Sequence, residues 1–360
     1  MSDVDEDLLS SWSFSLPEER IARRPLPERA ASRLLHLDGD GLHHRRFADV
    51  VDLLNAGDTL VVNDTTVLPA RLLGEKAHSG GKVEVLLVRP VDDSGRQWIV
   101  LLNASKKPKR GTRLVFPAGP GSFDALLASV DGVVDDEPGA WRVWFEGDVR
   151  AFAALHGRVP LPPYLNRAPD DDDDARYQTV FHDADKTGSS AAPTAGLHFD
   201  EQTLRALAAK GVGLAKVTLH VGPGTFLPVH ADRLSGHAMH AEPWWLTAST
   251  ADQLNATRKN GKRIVAVGTT AARVLESARV GVDVDAPFTA GEGLTRLFIR
   301  PPHRVTAFDC LLTNFHLPQS TLLVLVGTLV GRRRLLDAYD EAIRDGYRFY
   351  SYGDCCFIER

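Results

Sequence analysis

Two histidines lie in short loops that also contain glycine, threonine and proline. Residues 193–199 (PTAGLHF) hold His198, and residues 219–226 (LHVGPGTF) hold His220. Imidazole exchanges protons near neutral pH and can serve as a general acid or base. A single histidine in a folded domain is more often structural. Two in loops joined by one helix and one strand form a candidate acid–base site.

An ordinary helix and strand connect these two loops. Asp200 is placed to cap the helix, Leu204 and Leu207 share one face, and Gly211 suits the left-handed residue that ends it. Residues 214–221 then alternate apolar and polar side chains, which predicts a strand. We therefore expect this unit to bring both histidine loops toward one place.

Two further strand ends carry polar groups. The strand predicted at 263–267 runs through Gly268, Thr269 and Thr270 into a helix predicted at 271–278. Free N–H groups and hydroxyls at a helix start can bind an anion or a polar ligand. A plain turn capped by threonine fits the same residues equally well.

The second strand end lies within residues 308–318, which run from a strand into a polar loop. It carries Asp309, Asn314 and His316. A carboxylate, an amide and an imidazole offer both donors and acceptors, so they can orient a polar substrate.

The sequence predicts no metal centre. His237 and His240 have the spacing of two ligands on one helix face, but no cysteine or carboxylate cluster nearby completes a tetrahedral set. The five aspartates at 170–174 are expected to form a solvated loop.

Composition sets the class of protein. The chain has 360 residues, 43% hydrophobic, which predicts two globular domains or one domain with a large insertion. The net charge of −5 requires a local basic patch for any nucleic-acid partner. Three cysteines fit a reducing cytosol, and the acidic residues 1–11 do not resemble a signal peptide. The longest apolar run, 321–330, is about half a membrane span and is expected to be a buried element.

Two basic clusters could provide that patch. The first, at 104–111, contains Lys106, Lys107, Lys109 and Arg110. The second is a run of three residues: Arg332, Arg333 and Arg334. For the first cluster a solvated turn and a phosphate-contacting loop are both open.

The sequence pattern changes between residues 68 and 154. Gly and Pro punctuate short β-type runs there, and strong helical periodicity is absent. This pattern predicts a small antiparallel barrel or sandwich. We predict an inserted all-β domain at 67–154, and an α/β domain formed by 1–66 and 155–360.

Several long segments resemble the S-adenosylmethionine:tRNA ribosyltransferase-isomerase family of queuosine biosynthesis. They include PTAGLHF (193–199), VTLHVGPGTF (217–226), AVGTTAARVLES (266–277), LLTNFHLPQSTLL (311–323) and YRFYSYGD (347–354). The resemblance continues in order through essentially the whole chain. It implies a main α/β domain with a distorted β-barrel, interrupted by a small all-β domain that forms an antiparallel barrel.

The resemblance also implies a reaction. The ribosyl part of S-adenosylmethionine would be transferred to, and isomerised on, 7-aminomethyl-7-deazaguanine at the tRNA wobble position. Epoxyqueuosine-tRNA would form, with release of adenine and methionine. S-adenosylmethionine would be a consumed co-substrate, so no cofactor or metal is expected. The protein is expected to be a cytoplasmic monomer without membrane contact.

Residue type and motif membership assign provisional roles. His198 and His220 are the candidate acid–base residues. Candidates for binding S-adenosylmethionine or the deazaguanine are Thr194, Gly196, Gly222, Gly224, Thr225, Thr269, Thr270, Asp309, Asn314, His316, Tyr352 and Asp354. Candidates for tRNA contacts are Lys106, Lys107, Lys109, Arg110, Arg332 and Arg333.

Three positions depart from the family pattern. Thr66 stands where the family typically has Arg, Pro302 where it has Gly, and Pro223 where it has Ala. Thr66 cannot make the phosphate or carboxylate contact of an arginine. It therefore keeps open a paralogue that uses another acceptor, or one that binds tRNA without chemistry. A metal-dependent hydrolase is a further alternative, whereas a methyltransferase would lack its usual Gly-rich loop.

Overall fold

A computed structural model describes residues 4–92, 94–118, 124–135, 137, 139–167, 169–222, 229, 231–279, 281, 283 and 285–360. The strands are β1 Arg33–Asp38, β2 Gly41–Arg46, β3 Thr59–Asn63, β4 Thr66–Val67, β5 Arg71–Lys76, β6 Lys82–Pro90, β7 Gln97–Ala104, β8 Arg113–Phe116, β9 Leu126–Val133, β10 Ala140–Phe145, β11 Thr187–Ser189, β12 Gly213–Leu219, β13 Glu242–Leu246, β14 Ile264–Val267, β15 Gly291–Thr295, β16 Cys310–Asn314 and β17 Cys355–Glu359. The helices are α1 Val50–Leu53, α2 Val149–His156, α3 Asp171–Arg176, α4 Glu201–Ala209, α5 Ala248–Lys259, α6 Gly268–Ser277, α7 Thr321–Val330 and α8 Arg332–Arg344.

The main sheet is mixed, with a parallel centre. Its strand order is β15-β13-β12-β3-β14-β16-β17-β1-β2. Strands β12, β3, β14 and β16 run parallel, and β17 is antiparallel to β16. Every residue of β3 and β14 is buried, because apolar clusters cover both faces of the sheet. Alternate residues confirm this: Leu60 and Val62 belong to one cluster, and Val61 belongs to the other.

Strands β5 to β10 close into an antiparallel barrel. Their order is β10-β7-β6-β5-β8-β9, and their inward side chains form a separate apolar cluster. Val149 and Ala153 of α2 join that cluster, so this helix closes part of the barrel core. The α/β fold with an antiparallel barrel is thus confirmed, whereas the domain boundaries at 66/67 and 154/155 stay predictions.

Local sequence signals position the elements around the sheet. Residues 38–41 contain two Asp-Gly pairs, which favour a tight hairpin turn, and they join β1 and β2. The Asp200 carboxylate caps α4 by accepting the Thr203 N–H, and Gly211 adopts a positive φ of 84° after the helix. Helix α6 begins at Gly268, three residues before its predicted start, so the Gly-Thr-Thr segment forms its first turn.

The aspartate run is not a solvated loop, so that expectation was wrong. Residues of the run form α3, where negative side chains near the helix N-terminus are electrostatically favourable. Asp173 is 1% exposed and receives two hydrogen bonds from Arg167, at 2.6 and 2.7 Å. Arg167 lowers the pKa of Asp173 to about 2, against the opposing effect of burial. The run therefore ties α3 to the segment that precedes it.

His237 and His240 do not form the half-site that their spacing suggests. They lie in irregular chain after a short 3₁₀ helix. The described part of the chain contains no group of three or more His, Cys, Asp or Glu side chains placed to hold a metal ion. It also contains no helix that is long and apolar enough to span a membrane.

Packing of the N-terminal segment against α7 provides a test of the fold. A side chain at Gly327 would place its Cβ 2.2 Å from the ring of Trp12, which is fully buried. We expect Gly327→Ala to lower the free energy of unfolding by about 1–3 kcal/mol through overpacking, as measured by urea denaturation. Gly39→Ala is the control, because nothing lies within 4 Å of its Cβ. Equal stability of the two variants would contradict this packing.

Candidate active site

A pocket of about 290 Å³ opens at the carboxyl edge of the parallel strands. The N-termini of α6 and α7 reach the same edge, which is where open α/β sheets commonly bind ligands. Among the described residues, the lining comprises Tyr164, Ala192, Pro193, Thr194, Ala195, Val221, Val229, Gly268, Thr269, Thr270, Thr313, Asn314, Phe315, His316, Leu317, Pro318, Gln319, Ser320, Leu322, Tyr350 and Ser351.

Five predicted ligand-binding residues meet in this pocket. They come from three separate segments of the sequence: Thr194, Thr269, Thr270, Asn314 and His316. Asn314 ends β16, and the two later threonines lie in the first turn of α6. The sheet therefore assembles residues that are as far apart as positions 194 and 316.

Three predicted ligand-binding residues instead stabilise the fold. Asp309 lies at the opposite end of β16, where its carboxylate accepts the N–H of Ile264 at 2.8 Å. Tyr352 donates its hydroxyl to buried Asp173 at 2.8 Å. Asp354 accepts the backbone N–H groups of Arg33 and Arg348, and burial raises its pKa. None of the three lines the pocket.

Two of the glycines predicted to bind substrate have structural roles. A side chain at Gly196 would meet the Phe181 ring at 2.5 Å, so close packing demands glycine there. Gly222 donates its N–H to Glu242 at 3.0 Å. Gly224 and Thr225 lie outside the described residues.

His198 sits behind the pocket wall and not in the pocket. It is 3% exposed and stacks against Phe47, with ring centroids 5.4 Å apart. Both ring nitrogens bind protein groups: Nδ1 lies 2.9 Å from Ser32 Oγ, and Nε2 lies 3.0 Å from Asn314 Nδ2. Burial lowers its pKa to about 4, and the positive charge of Arg29 adds to the effect. This geometry leaves His198 no free nitrogen for a substrate.

His220 precedes a residue of the pocket wall. Val221 lines the pocket, but its neighbour His220 does not. The Nδ1 atom of His220 lies 2.8 Å from Thr65 Oγ1, and the ring meets Trp245 edge-on. Burial, aided by the charge of Arg150, lowers its pKa to about 4. Within the described residues its Nε2 has no hydrogen-bond partner, so a neutral imidazole could still accept a proton there.

His316 is the histidine that lines the pocket among the described residues. Its Nε2 lies 2.9 Å from Thr313 Oγ1, and its backbone N–H donates to the Tyr339 hydroxyl at 3.1 Å. Burial lowers its pKa to about 3, so the ring is neutral at pH 7. The two histidines that were predicted to act together are thus replaced in the pocket by a third.

The segment around Thr66 lies beside a lysine. Thr66 donates its hydroxyl to the carbonyl of Asp183 at 2.5 Å. Lys186 pairs with the fully buried carboxylate of Asp64 at 2.5 Å. A cation therefore lies beside this segment, although position 66 carries none.

Sequence reasoning missed Tyr350 and Gln319. Both line the pocket, and both are non-glycine residues with positive φ, at 75° and 56°. Such strained backbone is concentrated at functional sites. Tyr350 stacks on Tyr164 with ring centroids 4.1 Å apart. In the described part of the chain, the buried Tyr350 hydroxyl and Thr270 Oγ1 have no hydrogen-bond partner. The aromatic residues of YRFYSYGD (347–354) could have indicated Tyr350 as a site residue. The sequence does not reveal its strained backbone.

The two basic clusters differ in availability. Lys106, Lys107, Lys109 and Arg110 are exposed in the loop between β7 and β8. In the second cluster, Arg332 is engaged: it donates to the Ser11 carbonyl at 2.9 Å, and its side chain is only 18% exposed. The prediction that Arg332 contacts tRNA therefore lacks structural support, because this residue anchors the N-terminal segment. Arg333 remains exposed, near Asp337.

The unpartnered hydroxyl of Tyr350 can be tested through stability. Tyr350→Phe removes a buried group without a protein partner, so the free energy of unfolding should stay unchanged or rise. Tyr339→Phe is the matched control. It removes the acceptor of the His316 N–H and should cost about 1–2 kcal/mol. Thermal or urea unfolding measures both, and an equal loss in the two variants would show that Tyr350 has a protein partner.

Comparison with known proteins places this chain in a family. A family model described as queuosine biosynthesis protein matches residues 9–358. The S-adenosylmethionine:tRNA ribosyltransferase-isomerase of Anaeromyxobacter sp. strain K is 51% identical, over 98% of this chain and 99% of the relative. The protein of the same name from Syntrophotalea carbinolica is 46% identical, over 97% of this chain and 99% of the relative.

A solved structure agrees with these matches. The crystal structure of S-adenosylmethionine tRNA ribosyltransferase from Thermotoga maritima is 33% identical, with a TM-score of 0.52. The match covers 97% of this chain and 100% of that chain. The family resemblance drawn from the sequence is therefore confirmed, and the chain belongs to the queuosine biosynthesis protein family.

Proposed function

We propose that this protein transfers and isomerises the ribosyl moiety of S-adenosylmethionine onto 7-aminomethyl-7-deazaguanine at the tRNA wobble position. The products are epoxyqueuosine-tRNA, adenine and methionine. The observation that carries the proposal is the convergence of motif segments 193–199, 266–277, 311–323 and 347–354 on one pocket. Full-length relatives that carry this activity in their names support it.

The pocket is proposed to hold S-adenosylmethionine as a consumed substrate, with no resident cofactor. Its described lining combines apolar side chains with hydroxyls, an amide and an imidazole. Small-molecule sites typically have this mixture. The stacked rings of Tyr164 and Tyr350 offer an aromatic surface for a planar base or for the sulfonium.

The chemistry requires proton transfers at several points. The sulfonium acidifies the adjacent ribose 5′ carbon, and a base removes its proton as the sugar ring opens toward a vinyl sulfonium. Adenine then leaves with a proton supplied by an acid or hydrogen-bond donor. The neutral aminomethyl nitrogen then attacks the ribose and loses a proton. Closure of the epoxide displaces methionine. Acid–base groups typically contribute about 10²–10⁴-fold at such steps.

We assign the acid–base candidates by position. His316 lines the pocket and is neutral at pH 7, so it can hydrogen-bond the substrate without placing a positive charge beside it. His220 lies beside Val221 at the pocket wall and keeps Nε2 free of protein partners within the described residues. Thr269 and Thr270 are the hydroxyl ligands contributed by α6. His198 is not among these candidates, because Ser32 and Asn314 bind both of its ring nitrogens.

The tRNA partner must present a single unstacked base, because an enzyme cannot reach the aminomethyl group inside a stacked anticodon. Exposed cations of the barrel loop are proposed to contact its phosphates. The proposal includes a cytoplasmic monomer; the buried, unpaired state of Cys310, Cys355 and Cys356 is compatible with a reducing compartment.

The reaction is tested by incubating the purified protein with S-adenosylmethionine and tRNA that carries the aminomethyl deazaguanine. We expect stoichiometric adenine and methionine and a matching mass gain on the tRNA, quantified by chromatography and mass spectrometry. The control is tRNA with guanine at the wobble position, which lacks the attacking amine. Formation of S-adenosylhomocysteine would indicate methyl transfer and refute the proposal. Turnover with a different acceptor would favour the paralogue that Thr66 keeps open.

The tRNA surface is tested by the salt dependence of binding. Replacing Lys106, Lys107, Lys109 and Arg110 by Gln should reduce the slope of log K against log salt by about 3, since each phosphate contact contributes about 0.7–0.9. Filter binding at several salt concentrations measures the slope. Arg332→Gln is the control: it should lower stability through loss of the Ser11 contact but leave the slope unchanged. An unchanged slope in the variant with all four substitutions would show that the loop does not contact tRNA phosphates.

A further inference from the structure

The amide of Asn314 has a single possible orientation. One of its contacts is the backbone carbonyl of Tyr350, 3.1 Å from Nδ2. A carbonyl oxygen only accepts, so the nitrogen must face Tyr350. The Oδ1 atom then faces Thr194, whose hydroxyl donates to it at 3.1 Å. Asn314 is 3% exposed, so no water-filled space favours the flipped amide.

The polarity of His198 follows from its other neighbours. Ser32 donates its hydroxyl to the Arg29 carbonyl at 3.3 Å, so Ser32 Oγ accepts from His198. His198 therefore carries its proton on Nδ1. Its bare Nε2 accepts the second N–H of the Asn314 amide at 3.0 Å. A ring protonated on both nitrogens could not accept this bond, and burial keeps the ring neutral by lowering its pKa to about 4.

These contacts determine what the amide can still bind. Both hydrogens of Asn314 Nδ2 are used, by Tyr350 and by His198. One lone pair of its Oδ1 accepts the Thr194 hydroxyl, and the other lone pair can accept a further hydrogen bond. The Thr194 hydroxyl donates its only hydrogen to Asn314, and its oxygen can still accept a hydrogen bond. Both residues line the pocket, so this edge presents acceptors and no donors.

We propose that His198 is a positioning residue, which holds Asn314 so that Asn314 and Thr194 form an acceptor edge for a hydrogen-bond donor of S-adenosylmethionine. The donor is a ribose hydroxyl or an amino group of that substrate. This inference rests on the proposed function only in taking S-adenosylmethionine as the ligand of the pocket. His198 performs no proton transfer to the substrate, because both of its nitrogens are bound by Ser32 and Asn314.

Two substitutions separate positioning from acid–base catalysis. His198→Gln keeps an acceptor for the Asn314 amide, whereas His198→Leu has similar volume and none. We expect His198→Leu to raise the Kd and KM for S-adenosylmethionine about tenfold, the value of one lost hydrogen bond, with a smaller change in kcat. In His198→Gln, the Kd and KM for S-adenosylmethionine should stay within about threefold of the native values. Calorimetric titration and adenine release measure these constants.

The opposite pattern overturns the proposal. If both variants lose about 10²-fold or more in kcat with unchanged KM, His198 acts as an acid or base. If neither variant changes Kd, the acceptor edge does not contact the substrate. Analogues that lack the ribose hydroxyls, the methionine amino group or the adenine amino group identify the donor. The analogue without the relevant donor should bind more weakly to the native protein and be insensitive to His198→Leu.

Nitrogen-15 NMR of the native protein provides a readout that does not depend on activity. The His198 resonances are those that disappear in His198→Gln, and they should show a protonated Nδ1 and a bare Nε2 at pH 7. If that variant does not fold, the couplings between ring nitrogens and ring protons identify the tautomer. The opposite tautomer would overturn the orientation of Asn314. Native protein that binds S-adenosylmethionine but releases no adenine would refute the proposed reaction alone, whereas absence of binding would refute the ligand assignment.

Discussion

The parallel centre of the main sheet is the constraint on which the site depends. Because β3, β14 and β16 run in one direction, their carboxyl ends meet at one edge. Burial of β3 and β14 on both faces leaves ligands only the edges of the sheet. Helix α6 then starts at the end of β14, and Asn314 ends β16. A pocket lined by residues distant in sequence follows directly from this arrangement.

Short-range signals in the sequence predicted much of the fold. Asp-Gly pairs marked the hairpin of β1 and β2, Asp200 marked the start of α4, and Gly211 marked its end. The barrel was predictable as a class because turn residues interrupt β-type runs. The aspartate run misled because its charge pattern fits a solvated loop, whereas Asp173 is buried between Arg167, six residues earlier, and Tyr352, which is distant in sequence. Solvation and ion pairing cannot be distinguished without the tertiary partner.

The site was predictable by motif and not by individual role. Thr194, Asn314 and His316 reach the pocket, and each lies at or just after a strand end or at a tight turn. Asp309, only five residues before Asn314, ends up at the other edge because a strand advances about 3.3 Å per residue. Described residues beside both histidines line the pocket, but the His198 and His220 rings contact Ser32 and Thr65 and are not part of its lining. Sequence spacing does not contain those side-chain directions.

Charge gives these placements a common physical reason. S-adenosylmethionine carries a sulfonium cation, which a protonated imidazole nearby would repel. Burial lowers the pKa of His316 to about 3 and that of His198 to about 4, so both rings are neutral under cellular conditions. The described lining of the pocket contains no lysine or arginine, and the stacked Tyr164 and Tyr350 present electron-rich faces. A neutral imidazole behind Asn314 also preserves the acceptor character of the amide. The same burial that makes His198 a weak base therefore suits it to hold a site for a cationic substrate.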